Sequence, residues 1–384
     1  MLPRSLYIHI PWCIRKCPYC DFNSHKSPDH LPEVDYIDAL IADFEQAFAK
    51  APTSTLHSIF IGGGTPSLFS AQAFDRLFQA ISKHVSFAPQ IEITLEANPG
   101  TIEQQRFRDY RAVGINRLSL GIQSFHAQHL KTLGRIHDDQ AAHQSIAMAR
   151  AAGFDNLNVD LMYSLPHQTL EEGLADLKTA LTYAPEHLSW YQLTIEPNTI
   201  FYKQRPPLPS DDLTEALEHA AYDLLAQNAY TRYEISAFSQ ANRASQHNLN
   251  YWLFGDYYGI GAGAHGKITR SVTDAVDGIY RTQKHRQPRD YLNPKNRNHT
   301  IVTPVPHTER LFEFMLNTTR LNQPIDNTLL QERTGLSFNA CRPLFQKAET
   351  LGLLRCTPTS WHVTDMGRRY TNDLQELFLG DPRT

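Results

Sequence analysis

The sequence predicts an α/β protein: a partial (βα)6 barrel, TIM-like in plan, followed by a mainly helical, winged-helix-like module. Three observations carry that expectation. Six short β-rich runs recur, each followed by a stretch of helical periodicity, the pattern of parallel βαβ units. The runs end in polar or glycine-rich residues, as expected where strand C-termini converge on one face. Beyond about residue 200 the rhythm changes, and helices precede a small hairpin.

The β-rich runs are residues 6–10, 58–61, 91–95, 117–120, 157–161 and 188–193. Apolar stretches such as Ser58-Ile59-Phe60-Ile61 fit strands covered on both faces. Helical periodicity marks 36–48, 73–85, 102–113, 141–152 and 170–181. The strand ends read Gly62-Gly63-Gly64-Thr65-Pro66, Glu96-Ala97-Asn98-Pro99, Gly121-Ile122-Gln123-Ser124-Phe125, Asp160 and Glu196-Pro197-Asn198. Six units suit a partial barrel, with a doubly wound open sheet as the alternative. Pro206, Pro207 and Pro209 mark a break before a helix over 213–227 and a β-like piece over 230–235. Residues 278–305 are rich in Arg, Asn, His and Pro and read as a surface connection. Helices over 309–317, 327–334 and 340–351, β-like pieces over 353–357 and 360–363, and a helix over 366–378 complete the chain. A DNA-binding reading of this last module lacks a basic recognition helix.

A chain of 384 residues exceeds one small core. The expected division is 1–235 for the barrel, 236–305 for a connecting segment and 306–384 for the C-terminal module. With 41% hydrophobic and 20% charged residues the composition is globular, and a net charge of −4 argues against general nucleic-acid binding. No stretch approaches the ~20 apolar residues of a membrane span. Few cysteines and no leader-like N-terminus suit a reducing, cytoplasmic setting.

Three of the five cysteines form Cys13-x-x-x-Cys17-x-x-Cys20 directly behind the first β run. Three thiolates can hold three irons of a four-iron, four-sulfur cluster and leave the fourth iron open to a small molecule. Zinc is the alternative, but its structural sites close with four ligands, and His9, His25 and His30 stand at no standard spacing. A disulfide is a weaker reading still. Cys341 and Cys356 are isolated and read as ordinary thiols.

The cysteine spacing resembles the signature of the radical S-adenosylmethionine (SAM) superfamily. On a barrel-like frame it is similar to the oxygen-independent coproporphyrinogen III oxidase branch, over essentially the whole chain. Within that branch the chain most resembles the HemW-type heme chaperones. The oxidases carry a fourth cysteine where this chain has Phe22, and a long extension before the cluster where this chain reaches Cys13 almost at once. The chaperones carry a His-Asn-x-x-Tyr-Trp motif, matched by His247-Asn248-Leu249-Asn250-Tyr251-Trp252.

The resemblance implies a [4Fe-4S] cluster on Cys13, Cys17 and Cys20. It implies SAM contacts from Tyr7, Gly63, Gly64, Thr65, Glu96, Gln123, Arg135 and Asp160. Tyr19 matches a position that contributes to a second SAM site in the oxidases. Glycines let backbone approach a ligand closely, and a guanidinium can grip a carboxylate with two parallel bonds. Heme is the implied cargo, with His247, Asn248, Tyr251 and Trp252 as its candidate residues. A neutral imidazole is a good iron ligand, although a core histidine among packed aromatics reads the same way in sequence. The run Gly259-Ile260-Gly261-Ala262-Gly263-Ala264-His265-Gly266 fits either a ligand approach or a structural turn. The implied partners are respiratory, membrane-bound acceptor hemoproteins, with peripheral membrane association and a homodimer. Two other readings stand beside the chaperone: an enzyme converting coproporphyrinogen III to protoporphyrinogen IX, and a binding protein with a structural metal site.

Overall fold

The computed structural model describes residues 4–100, 103–272, 275–296 and 299–379. Six parallel strands come first: β1 (Arg4–Ile10), β2 (Thr55–Gly63), β3 (Ser86–Ala97), β4 (Arg117–Gln123), β5 (Leu157–Tyr163) and β6 (His187–Gln192). Each is followed by a major helix: Glu33–Lys50, Ala71–Ser82, Glu103–Ala112, Asp139–Ala151, Leu170–Thr182 and Asp211–Gln227. Four of these starts carry side-chain caps, from Ser70, Asp138, Thr169 and Ser210. Thr169 and Glu172 form a reciprocal capping box. Ile102, the expected start of the third helix, lies outside the described residues.

Two antiparallel strands, β7 (Thr231–Glu234) and β8 (Ala237–Ser239), follow, and then β9 (Asp256–Ile260), β10 (His265–Val272), β11 (Ala275–Gln283) and β12 (Ile301–Pro304). Together they form one sheet in the order β12-β11-β10-β9-β1-β2-β3-β4-β5-β6-β8-β7. From β1 to β6 the order rises by one at each step and every pairing is parallel. A doubly wound sheet would reverse its order at a switch point, so the core is barrel-like. It stays partial because β1 pairs on its other side with β9, not β6.

Alternation along the strands sorts the two faces. Leu6, Ile8, Ile59, Ile61, Ile93, Leu95, Leu118, Leu120, Leu157, Val159 and Leu188 belong to the main apolar core. The opposite face is polar: Ser5, Ser58, Thr94, Ser119, Asn158 and His187 are buried there. The strands are covered on both sides, as expected, but only one side is greasy. Asn158 donates to Ser119 Oγ and Asp160 Oδ1, both at 2.7 Å, and accepts from Ser189 Oγ at 3.1 Å.

The stretch read as a surface connection from 278 to 305 carries strand structure instead. Its arginines and lysines border half-buried antiparallel strands, which obscured the alternation. Lys267 and Asp256 are essentially unexposed and pair at 2.9 Å, and Asp256 also accepts from Thr269 N and Oγ1 at 2.7 Å each. A second core joins Phe254 and Ile279 to Phe314, Met315, Phe345 and Trp361. It holds helices Arg310–Thr318, Asn327–Thr334 and Phe338–Thr350, together with the hairpin Leu354–Cys356 and Ser360–Val363. The expected last helix over 366–378 is divided into Asp365–Arg369 and Thr371–Glu376. The break is at Tyr370, whose φ of −113° and ψ of 46° are not helical.

Lys267→Met would leave the Asp256 carboxylate buried without its cation, a change that costs about 3–5 kcal/mol. Urea denaturation should show a midpoint lowered accordingly; an unchanged midpoint would mean that Thr269 alone satisfies the carboxylate.

Candidate functional site

At the C-terminal ends of the parallel strands lies a cavity of about 340 Å3. Its wall includes Cys13, Cys17, Tyr19, Cys20, Gly63, Gly64, Thr65, Glu96, Gln123, Arg135 and Asp160. The fold thus gathers almost every residue singled out in the sequence, from positions 13 to 160, around one space. Tyr7 and the four residues of the His247 motif lie outside it, and Tyr7 lines an adjoining cavity.

The cysteine loop is braced from several sides. Lys16 Nζ donates to the Phe22 and Ser24 carbonyls at 3.1 and 3.3 Å. Asn23 Nδ2 donates to Ala262 O at 2.9 Å and Arg286 O at 3.0 Å, fastening the loop to the far side of β1. Burial raises the Cys13 and Cys20 thiols above their ordinary range; Cys20 and Cys17 raise Cys13 further, and Cys17 raises Cys20. Arg135 Nη1 donates to Cys17 Sγ at 3.7 Å. Among the described residues no three Cys, His, Asp or Glu side chains converge on a single metal ion. Thiols spread around a shared space suit a cluster, whose irons take one thiolate each, better than one tetrahedral zinc.

Gly63 explains the closeness of the next wall. Its φ is +116°, and a Cβ there would stand 2.6 Å from the His9 ring; at Gly64 a Cβ would meet the Trp12 backbone at 2.5 Å. The Gly63 amide donates to Glu96 Oε2 at 3.0 Å. Glu96 is pushed up to about 7, first by burial and then by the nearby Asp160. Asp160 is also raised, chiefly by burial, although Ser119 and Asn158 donate to it. Two carboxylates in one water-poor cavity make it receptive to a cation.

Arg135 Nη2 donates to Asn98 Oδ1 at 2.5 Å and to the Gly121 carbonyl at 2.7 Å, and Asn98 donates to Thr65 Oγ1 at 3.0 Å. Gln123, at φ +70° where the β4 pairing shifts register, accepts from Tyr191 OH at 2.6 Å. Asn98 and Tyr191 were not singled out as site residues in the sequence. Asn98 stood in a noted strand end, whereas nothing local marks Tyr191.

The adjoining cavity, about 590 Å3, is lined by Tyr7, His9, Phe22, Asn23, Tyr251, Tyr257, His265 and Arg286, and shares Phe22, Gly63 and Glu96 with the first. The His247 motif forms the helix Gln246–Trp252 and divides its residues. Tyr251 reaches this cavity. His247 is 1% exposed and lines neither space: Phe60, Tyr251 and Tyr7 pack around its ring at 5.1, 4.6 and 6.4 Å. Its Nδ1 meets Ser58 Oγ at 3.1 Å, and burial lowers its pKa to about 3. Asn248 turns toward Tyr233, and Trp252 lies under the Arg320 guanidinium at 4.2 Å. In the glycine run, Gly261 accommodates the His9 carbonyl, so part of it serves close strand packing.

The Radical SAM superfamily pattern matches residues 7–180, and the HemN C-terminal domain matches residues 305–370. The heme chaperone HemW of Escherichia coli K12 is 45% identical over 380 residues, covering 99% of both chains. The Haemophilus influenzae heme chaperone HemW is likewise 45% identical, over 385 residues and 98% of both chains. The chain belongs to the HemW family of heme chaperones. HemW membership places it in the radical SAM superfamily, which implies a [4Fe-4S] cluster and SAM. The fold is shared with the solved Escherichia coli coproporphyrinogen III oxidase HemN, at a TM-score of 0.79 and 23% identity, with 98% of this chain and 90% of that one covered. No described helix is long and apolar enough to cross a membrane.

Gly63→Ala forces both a left-handed backbone and a clash with His9, and should destabilise the cluster-free chain by about 1–3 kcal/mol. Thermal denaturation checks this, and an unaltered melting temperature would show that the His9 ring yields freely.

Proposed function

We propose that this protein is a heme chaperone that carries a cluster and SAM beside its cargo and passes heme to acceptor hemoproteins. In this reading Cys13, Cys17 and Cys20 hold three irons of the cluster. Gly63, Gly64, Thr65, Glu96, Gln123, Arg135 and Asp160, with Tyr19, receive SAM. Tyr7 stands between the two ligands. When bound, such a cluster supplies an open iron site and an electron to the molecule held there. The protein's own share is orientation: Arg135 fixes Asn98 and the Gly121 carbonyl, while the carboxylates meet positive charge. The acceptors are respiratory hemoproteins at the cytoplasmic side of a membrane.

The observation that carries the proposal is the convergence of three thiols and the predicted polar strand ends on one cavity. Full-length similarity to heme chaperones supports the cargo. His247 serves as backing for Tyr7 and Tyr251 and so shapes the cargo pocket. Phe22 at the position of the oxidases' fourth cysteine, exposed at the rim, supports heme handling over porphyrin synthesis.

Anaerobically purified protein with a reconstituted cluster should retain heme through gel filtration and release it to an apo-hemoprotein. Conversion of coproporphyrinogen III at a catalytic rate, with no heme retained, would replace this function with the oxidase reaction.

Glu96 gives a second test. In the free protein it keeps its proton up to about pH 7, whereas a sulfonium and ammonium ligand favours the carboxylate. Binding therefore releases a proton, and SAM affinity should rise as pH rises through about 7 and then level. Calorimetry across that window should show the slope in the parent and its absence in Glu96→Gln. A flat profile in the parent removes Glu96 from the SAM site.

A further inference from the structure

Heme iron bound by a protein is met by a side-chain ligand, commonly a histidine. Three histidines stand in or beside the second cavity, and their surroundings separate them. His9 lines the cavity, yet both its ring nitrogens are engaged, with Tyr7 OH at 2.8 Å and with the Asn23 carbonyl at 2.9 Å. His247 has an unpartnered Nε2, but it is buried behind Tyr7, Phe60 and Tyr251 and opens on neither cavity. An iron could reach it only if those rings moved.

His265 is different on each count. It begins β10, is exposed, and its side chain lines the cavity. Among the described residues its imidazole has no hydrogen-bond partner. Partial desolvation against the cavity wall, with Arg281 and Arg286 nearby, lowers its pKa and favours the neutral imidazole that binds metal. Backbone pairing with Gln283 on β11 holds its main chain in place, so the free ring is presented from a rigid element.

The rest of the cavity suits a large planar ligand with acidic edges. Tyr7, Tyr251, Tyr257 and Phe22 supply aromatic surface, and Tyr251 and Tyr257 lie 4.3 Å apart between centroids. Arg286 contributes a guanidinium with no ion pair among the described residues. Gly263, at φ +83°, keeps the wall thin: a Cβ there would strike Asn23 at 2.2 Å. The volume of about 590 Å3 falls within the ~300–1,000 Å3 of small-molecule pockets.

We propose that heme seats in this second cavity with His265 as its axial iron ligand and Arg286 paired with a propionate. The inference rests on the heme-chaperone reading and deepens it by moving the iron from the His247 motif to the glycine-rich run. Heme so placed borders the first cavity across Phe22, Gly63 and Glu96.

The test is titration of the full-length, cluster-reconstituted protein with ferric heme, read by Soret absorbance and by electron paramagnetic resonance of the heme iron. His265→Ala should lose the histidine-ligated signal and about tenfold or more in heme affinity, with added imidazole restoring the signal. Because His265 is exposed and unbonded, this variant should keep the parent's cluster absorbance and melting temperature, which certifies the comparison. Arg286→Ala should weaken heme severalfold while leaving heme dimethyl ester, which lacks free propionates, bound as in the parent. A histidine signal that survives in His265→Ala overturns the assignment. A signal that persists there but vanishes in a folded His247→Ala returns the iron to the motif. A parent protein that retains no heme is a separate result, and it removes the heme reading itself.

Discussion

Glu92 is the constraint on which the arrangement depends. Buried on the polar face of β3, it accepts from Ser245 Oγ, from the Gln246 amide and from the His247 amide, at 3.3, 3.1 and 3.2 Å, and faces Arg117 at 3.9 Å. A carboxylate so far from water must be matched by donors, and the start of the helix Gln246–Trp252 supplies them. The helix is thereby fixed against the N-terminal halves of the strands. Its position sets where Tyr251 can reach and where the chain re-enters the sheet as β9. Chemistry is left to the opposite ends of the strands, where the cysteine loop and the glycines stand.

The two cavities divide the polar interior by chemistry. The first combines thiols, two carboxylates in need of positive charge and an arginine that organises carbonyls. The second brings four Tyr and Phe rings together with an imidazole and a guanidinium that have no partner among the described residues. Their shared wall is thin because Gly63 has no side chain and Glu96 is held close by its amide. A bulkier residue at Gly63 would act on both spaces at once.

The sequence was most readable where periodicity and local chemistry agree. The six parallel strands and their helices appear close to the expected positions, since buried Leu, Ile and Val alternate there without interruption. The strand-end residues were legible because a parallel barrel brings such ends together whatever lies between. Strands β10 to β12 were harder to read, because antiparallel strands with one wet face carry Arg, Lys and Thr that mimic a loop. Helix Gln246–Trp252 was hidden by its brevity; its place depends on Glu92, more than 150 residues earlier. For the same reason no spacing rule separates His247 from His265: burial and partners distinguish them, and both come from distant chain.

Phe22 has a consequence for how the ligands sense each other. It is 62% exposed and borders both cavities. On the proposed placement of SAM and heme, the ligand that arrived first would order the side chain and bear the entropic cost. The second then meets a wall already set. On that same placement, a ligand in one cavity would therefore be felt in the other through one side chain, with no shift of the backbone required.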